Sequence, residues 1–200
     1  MAQVQELRIQ YVFNLTTTLV SCALPLEPCA LSLLHYFCAM KILMVCLGNI
    51  CRSPLAEGIL QQKATEAGLS WTVESAGTNS YHIGDPPHPL SQKVATMNGI
   101  DISSQRARRF TAEDIEAYDK VYALATDVLD DIRSISKNKF DASKVDLLMN
   151  ELHPGKDMDV PDPYYGTEKG YHEVYDMITD VCNVIVEKYA VHHSQYSITR

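Results

Sequence analysis

An open α/β sheet of four parallel strands, with helices on both faces, is the fold this sequence predicts, and three observations predict it. Short runs of strand length, Lys41–Val45, Trp71–Glu74, Lys120–Leu124 and Val145–Met149, alternate with helical patterns along the chain. The first run, Lys41-Ile42-Leu43-Met44-Val45, is apolar almost throughout, as a strand buried on both faces requires. The chain has 200 residues, 46% of them apolar, enough for one domain with a sizeable core.

Residues 1–39 differ in composition from the rest of the chain. Their only charges are Glu6, Arg8 and Glu27, yet they hold Cys22, Cys29 and Cys38, half of the six cysteines. No basic region precedes the apolar part, which disfavours a secretory signal. Pro25, Glu27 and Pro28 interrupt it before it is long enough to span a bilayer. Met40-Lys41 reads as a natural start, so residues 1–39 are expected to be an extension outside a functional domain at 40–191, with a membrane-surface anchor as the alternative.

From the first strand the chain enters Cys46-Leu47-Gly48-Asn49-Ile50-Cys51-Arg52-Ser53-Pro54. Ser53 reads as an N-cap and Pro54 as the first helical position. Leu55, Ile59, Leu60 and Ala64 make one face of that helix, and Gly68 stops it. The strand Trp71–Glu74 ends in the turn Ser75-Ala76-Gly77-Thr78. A loop through Gly84-Asp85-Pro86-Pro87-His88-Pro89 leads to a helix over Ser91–Met97, closed by Asn98-Gly99. Thr111–Asp114 begins a further helical turn, and a helix over Val128–Ser136 separates the third and fourth strands. The last helix, Glu168–Ala190, places Val174, Met177, Ile178, Val181, Ile185 and Tyr189 on one face, and the polar residues 192–200 form a tail. In such sheets ligands sit at the carboxyl ends of the strands, where the loop after Val45 lies.

That loop carries the chemistry. A strand, a tight loop and a helix start point backbone N–H groups and a helix dipole into one cup of phosphate size. Cys46 opens the loop and Arg52 closes it, a Cys-x5-Arg spacing. The dipoles that attract phosphate also favour a thiolate. Arg52 offers a planar fork to two phosphate oxygens, which Lys does not. A thiolate beneath a clamped phosphoryl group is set for in-line attack and a phosphocysteine intermediate. Such a mechanism needs a proton donor for the leaving oxygen and then a base for water. Asp162 in Val160-Pro161-Asp162-Pro163-Tyr164-Tyr165-Gly166 is the candidate, held on a loop stiffened by its flanking prolines, with Tyr164 and Tyr165 able to wall the cup.

The formal charge of −8 argues against a nucleic-acid binder, so anion binding must depend on local dipoles and Arg52. The cysteines form no Cys-x2-Cys pair and the histidines do not cluster with them, so neither a metal nor a cofactor is expected. Cys51 close to a nucleophilic Cys46 fits a reducing cytoplasm better than a disulfide framework.

From Met40 to about Ala190 the chain resembles the low-molecular-weight protein tyrosine phosphatases, on the strength of Val45–Pro54, Val160–Gly166 and Ser75. The resemblance implies a four-stranded parallel sheet, no metal, and hydrolysis of phosphotyrosine on protein substrates. By position it makes Cys46 the nucleophile, Arg52 the transition-state clamp and Asp162 the acid and then the base. It gives Leu47, Gly48, Asn49, Ile50, Cys51 and Ser53 to the phosphate loop, Ser53 hydrogen-bonding the Cys46 sulfur. Asn49 holds the loop's strained shape with help from Ser75, and Tyr81, Tyr164 and Tyr165 form an aromatic rim. It also makes Cys51 a redox partner of Cys46, able to trap a sulfenic acid as a disulfide. Family background adds bacterial tyrosine kinases as candidate partners. After the third strand many relatives read Met-Asp, whereas this chain reads Ala125-Thr126-Asp127, and Asp127 stays outside the catalytic set.

Arsenate reductases share the fold and first loop but need further downstream cysteines, and none lies between Cys51 and Cys182. Relatives acting on phosphoarginine usually carry Thr where this chain has Ile50, and an apolar side chain there favours an aryl phosphate. A non-catalytic phosphate-binding module would be expected to lack Cys46 or Asp162, and both are present.

Overall fold

The structure, a computed structural model, describes residues 39–196, with side chains to Tyr189. Residues 1–38 of the expected N-terminal extension lie outside this range, as do 197–200 of the expected tail. The strands are β1 (Lys41–Cys46), β2 (Thr72–Gly77), β3 (Lys120–Ala123) and β4 (Val145–Leu147), all parallel in the order β2-β1-β3-β4. The helices are α1 (Arg52–Glu66), α2 (Pro89–Met97), α3 (Asp114–Ala117), α4 (Thr126–Ser136) and α5 (Glu168–Tyr196). The predicted open parallel sheet is the observed one.

The central strand shows why its sequence is apolar at successive positions. Ile42 and Met44 point into a core shared with Leu55, Ile59 and Leu60 of α1 and Val174, Ile178 and Ile185 of α5. Leu43 and Val45 point the other way, against Phe110, Ile115, and Val128 and Ile132 of α4. With helices on both faces, period-two alternation of polarity disappears.

Several boundaries differ from expectation. β2 runs on to Gly77 because it pairs with β1 as far as Cys46↔Gly77. β4 ends at Leu147, and Leu148–Glu151 turns into a 3-10 helix. α5 continues past Ala190 to Tyr196, into the segment expected as tail. Gly68 does close α1: at φ 71° it lets its own N–H reach the Thr65 carbonyl and the Leu69 N–H reach the Ala64 carbonyl.

The end of β2 supports the loop after β1. Thr78 N–H donates to the Cys46 carbonyl and Asn79 N–H to the Leu47 carbonyl, each at 3.0 Å. Gly77 passes so close that a Cβ there would lie 2.9 Å from the Leu47 carbonyl oxygen and 3.0 Å from the Asn49 nitrogen. Backbone cannot yield as a flexible side chain can. Gly77→Ala is therefore expected to cost about 1–3 kcal/mol, read as a lower urea midpoint with unchanged m-value.

Candidate active site

The loop after β1 closes on its own sulfur. Cys46 Sγ lies at the floor, 2% exposed, with the Asn49 N–H 3.2 Å away and Ser53 Oγ 3.0 Å away. Ser53 is thus not the N-cap its sequence position predicts. α1 begins at Arg52 after Cys51, which makes no side-chain cap bond, and the Ser53 hydroxyl faces the thiol instead. The first turn of α1 keeps its free N–H groups for whatever enters the cup.

Asn49 sits at φ 55°, a left-handed conformation that costs a non-glycine residue energy and persists where its surroundings hold it. Its Nδ2 donates to Ser53 Oγ at 3.0 Å and to Ser75 Oγ at 2.8 Å, while its Oδ1 accepts from the Arg108 N–H at 2.9 Å. Ser75 in turn donates to Glu57 Oε2 at 2.6 Å. Arg108 is anchored by Asp114 at 3.1 Å and by Tyr118 Oη at 3.0 Å.

The second motif reaches the cup from the far side of β3. Val160 N–H donates to the Leu124 carbonyl at 2.8 Å, and Asp159 accepts from Thr126 N–H at 2.8 Å, pinning the loop to the end of β3 and the start of α4. Arg52 is 5% exposed, with Nη1 on the Val160 carbonyl at 3.1 Å and Nη2 on Asp162 Oδ2 at 2.8 Å. Asp162 Oδ1 also accepts from the Tyr164 N–H at 3.0 Å, and the carboxylate is half-exposed. The Arg52 guanidinium thus spans the Val160 carbonyl and the Asp162 carboxylate at the mouth of the loop.

These residues line a cleft of about 310 Å³. Cys46, Leu47, Gly48, Ile50, Cys51, Arg52 and Asp162 form its lower part, and Tyr81, Tyr164 and Tyr165 its rim. Tyr81 and Tyr165 are 86% and 97% exposed, and the Tyr164 and Tyr165 rings meet edge-on at 4.9 Å. Asn49, Ser53 and Ser75 stand behind the loop as its braces. Cys51 lies beneath, in a buried cluster with Ile50, Val94, Ala107 and Tyr171, and burial pushes its thiol up to about 11 despite a 3.6 Å contact with Tyr171 Oη. Asp127 does not line the cleft: it lies in the first turn of α4 and its Oδ1 accepts from the Val128 N–H.

The sequence reading missed Asn79 and His82, which also line the cleft. His82 covers Gly48, its ring carbon 3.3 Å from where a Cβ would stand, and pairs with Asp85 at 3.1 Å. It also missed His88, which caps α2, is hydrogen-bonded to Tyr171 Oη at 3.0 Å and packs against Tyr164 at 5.8 Å. Proximity of His82 to Tyr81 is the one signal that pointed at either. Among the described residues no group of three His, Cys, Asp or Glu side chains is placed to hold a metal, and no helix is long and apolar enough to cross a membrane.

The family profile of the low molecular weight phosphotyrosine protein phosphatases matches residues 41–194. The chain is 36% identical over 151 residues to the human low molecular weight phosphotyrosine protein phosphatase, covering 74% of this chain and 94% of that one. It is similar to the crystal structure of YfkJ from Bacillus subtilis, with TM-score 0.69 and 32% identity over 75% of this chain and 94% of that one. Wzb of Vibrio vulnificus, solved with benzylphosphonate, is similar with TM-score 0.67 and 27% identity, over 74% and 98% of the two chains. A YwlE arginine phosphatase structure, carrying a phosphorylated active-site serine, is similar with TM-score 0.67 and 26% identity, over 80% and 98%.

Proposed function

Since the chain belongs to the low molecular weight phosphotyrosine protein phosphatases, we propose that Cys46 is its nucleophile, Arg52 its phosphate clamp, and Asp162 its general acid and then base. The protein is a protein-tyrosine phosphatase acting through a phosphocysteine intermediate. The single observation that carries the residue assignment is the convergence of Cys46, Arg52 and Asp162 on one cleft, with Arg52 bridging to Asp162 at 2.8 Å.

The geometry gives each step a residue. A phosphate dianion entering the cleft competes with Asp162 for the Arg52 fork and wins on charge and on bidentate fit. Released from Arg52, the Asp162 carboxyl is free to face the leaving oxygen. The Cys46 sulfur attacks phosphorus in line, the phosphorus–oxygen bond to the tyrosine breaks, and Asp162 gives its proton to the leaving phenolate oxygen. As a carboxylate it then takes a proton from water, whose oxygen attacks phosphorus and expels the Cys46 thiolate with its N–H and hydroxyl donors in place.

The rim sets the substrate. Tyr81, Tyr164 and Tyr165 stand above the cup, so a phosphate must be carried on a side chain long enough to pass them and flat enough to lie among them. Phosphotyrosyl protein segments meet both conditions, tyrosine kinases among the candidates. Residues 40–191 are taken as the functional domain and the reducing cytoplasm as its compartment, in keeping with the buried free thiols Cys46, Cys51 and Cys182. The test compares kcat/KM for phosphotyrosyl, phosphoseryl and phosphoarginyl peptides of one sequence, with para-nitrophenyl phosphate as control. Phosphotyrosine is expected to lead by at least about 100-fold. Equal turnover of phosphoserine would remove the rim argument, and preference for phosphoarginine would move the chain to that activity.

A further inference from the structure

The left-handed turn at Asn49 brings its backbone N–H onto the Cys46 sulfur, and donor counting shows what holds it there. The Arg108 backbone N–H can only donate, so Asn49 Oδ1 must face it and both Nδ2 hydrogens face the two serines. Ser75 owns one hydrogen. With Asn49 donating to it, that hydrogen goes to Glu57 Oε2, at 2.6 Å. Ser53 also accepts from Asn49, and once Cys46 is a thiolate, which can only accept, the one Ser53 hydrogen turns to the sulfur at 3.0 Å and away from the Ala76 carbonyl at 3.4 Å. A chain of directed hydrogen bonds therefore starts at a carboxylate that only accepts and ends as donation to the reacting sulfur.

We propose that Glu57 is a positioning residue of the reaction: it keeps Ser75 an acceptor, and through Ser75 holds the Asn49 and Ser53 donors on the Cys46 sulfur. The proposal rests on the reading of Cys46 as nucleophile. Glu57 stands on α1, at a groove of about 390 Å³, together with Gln61, Asp101 and Gln105. Burial raises its carboxyl above the usual range and Glu74 of β2 adds to this, while the Ser75 bond, the Arg108 charge and Gln105 act in the opposite sense. A plain charge effect and the positioning role have opposite signs. A nearby carboxylate disfavours a thiolate, so its removal alone would make Cys46 easier to ionise. Loss of positioning makes it harder.

The experiment uses the full chain as wild type, Glu57→Leu, Glu57→Gln, Ser75→Ala and the Glu57→Leu/Ser75→Ala double variant. Carbamidomethylation of Cys46 by iodoacetamide is followed by peptide mass from about pH 4 to about pH 9. The reagent is neutral, so it does not report on Arg52, and burial pushes Cys51 and Cys182 up to about 11 and about 12, out of its reach. Glu57→Leu is expected to move the alkylation midpoint up by about one pH unit and to lower kcat about tenfold, with KM within about threefold. Glu57→Gln keeps an accepting oxygen without the charge and should recover kcat to within about threefold of wild type. If Glu57 acts through Ser75, the double variant is no worse than Ser75→Ala. An alkylation midpoint that falls or stays put, or losses that multiply in the double variant, would overturn the proposal. Should Glu57→Leu fail to fold, the same cycle is read with Glu57→Gln, whose threefold loss should vanish in the Ser75→Ala background. A wild type without turnover would instead overturn the phosphatase reading, leaving this link to be read by alkylation alone.

Discussion

Cys46→Ser is expected to lower kcat against para-nitrophenyl phosphate by on the order of 10⁴-fold or more, while the chain still binds inorganic phosphate. The substitution changes one atom at a site that is 2% exposed and set by backbone, so the fold and the cup are retained. What is lost is the sulfur that the proposed mechanism uses as its nucleophile. A serine hydroxyl at the same place meets the Asn49 N–H and the Ser53 hydroxyl, and among the described residues no carboxylate or imidazole is hydrogen-bonded to that position to act as a base for it. Asp162 does not substitute, because it is placed against Arg52 on the opposite wall. Phosphate binding depends on the loop N–H groups and on Arg52, which the change leaves alone. The check is steady-state turnover beside isothermal titration with phosphate. Turnover that survives with binding intact would exclude the phosphocysteine route, and loss of both would show that the variant had damaged the cup.

The parts of this molecule legible in its sequence are those that short-range rules govern. The apolar run Ile42–Val45 had to be a covered strand, and the two motifs each hold their chemistry within a few residues. Less legible were features decided by pairing. β2 extends to Gly77 because β1 offers it partners to Cys46, and nothing in Ser75-Ala76-Gly77 announces a strand. Ser53 shows a local rule overridden. A serine before proline at a helix start is an N-cap by every local criterion, yet here the hydroxyl faces the thiol and α1 starts two residues earlier, at Arg52 after Cys51. Of the braces of Asn49, the sequence points only to Ser75, and that through the family resemblance and not through any local rule. Arg108 lies 59 residues away, and Ser75, which joins Asn49 to Glu57, lies 26 away. Arg52 and Asp162, 110 positions apart, could be assigned to one site from their chemistry, but their mutual ion pair in the open cleft could not.

That ion pair shapes the second expectation, for Asp162→Asn. Asparagine keeps the size of the side chain and an oxygen for Arg52 but has no acidic proton to give and no basic oxygen to take one. Both halves of the reaction should suffer, the second by about 10²–10⁴-fold because water attack has lost its base. The first half depends on the leaving group. para-Nitrophenolate departs as a stable anion, so the phosphoryl transfer to Cys46 is largely spared and a burst of about one nitrophenol per enzyme should precede slow turnover. Phenyl phosphate needs the proton, so its first step slows as well and no burst appears. Anion affinity moves the other way. In the wild type Arg52 Nη2 is held by a charged carboxylate at 2.8 Å, which any phosphate must displace. A neutral amide holds that fork less strongly, so inorganic phosphate should inhibit the variant more tightly than the wild type. Rapid-quench traces with the two esters and a phosphate inhibition series read all three effects. Wild-type rates with both esters, or a burst of equal size from both, would remove Asp162 from proton transfer, and weaker phosphate inhibition would mean that the carboxylate is not the competitor the geometry makes it.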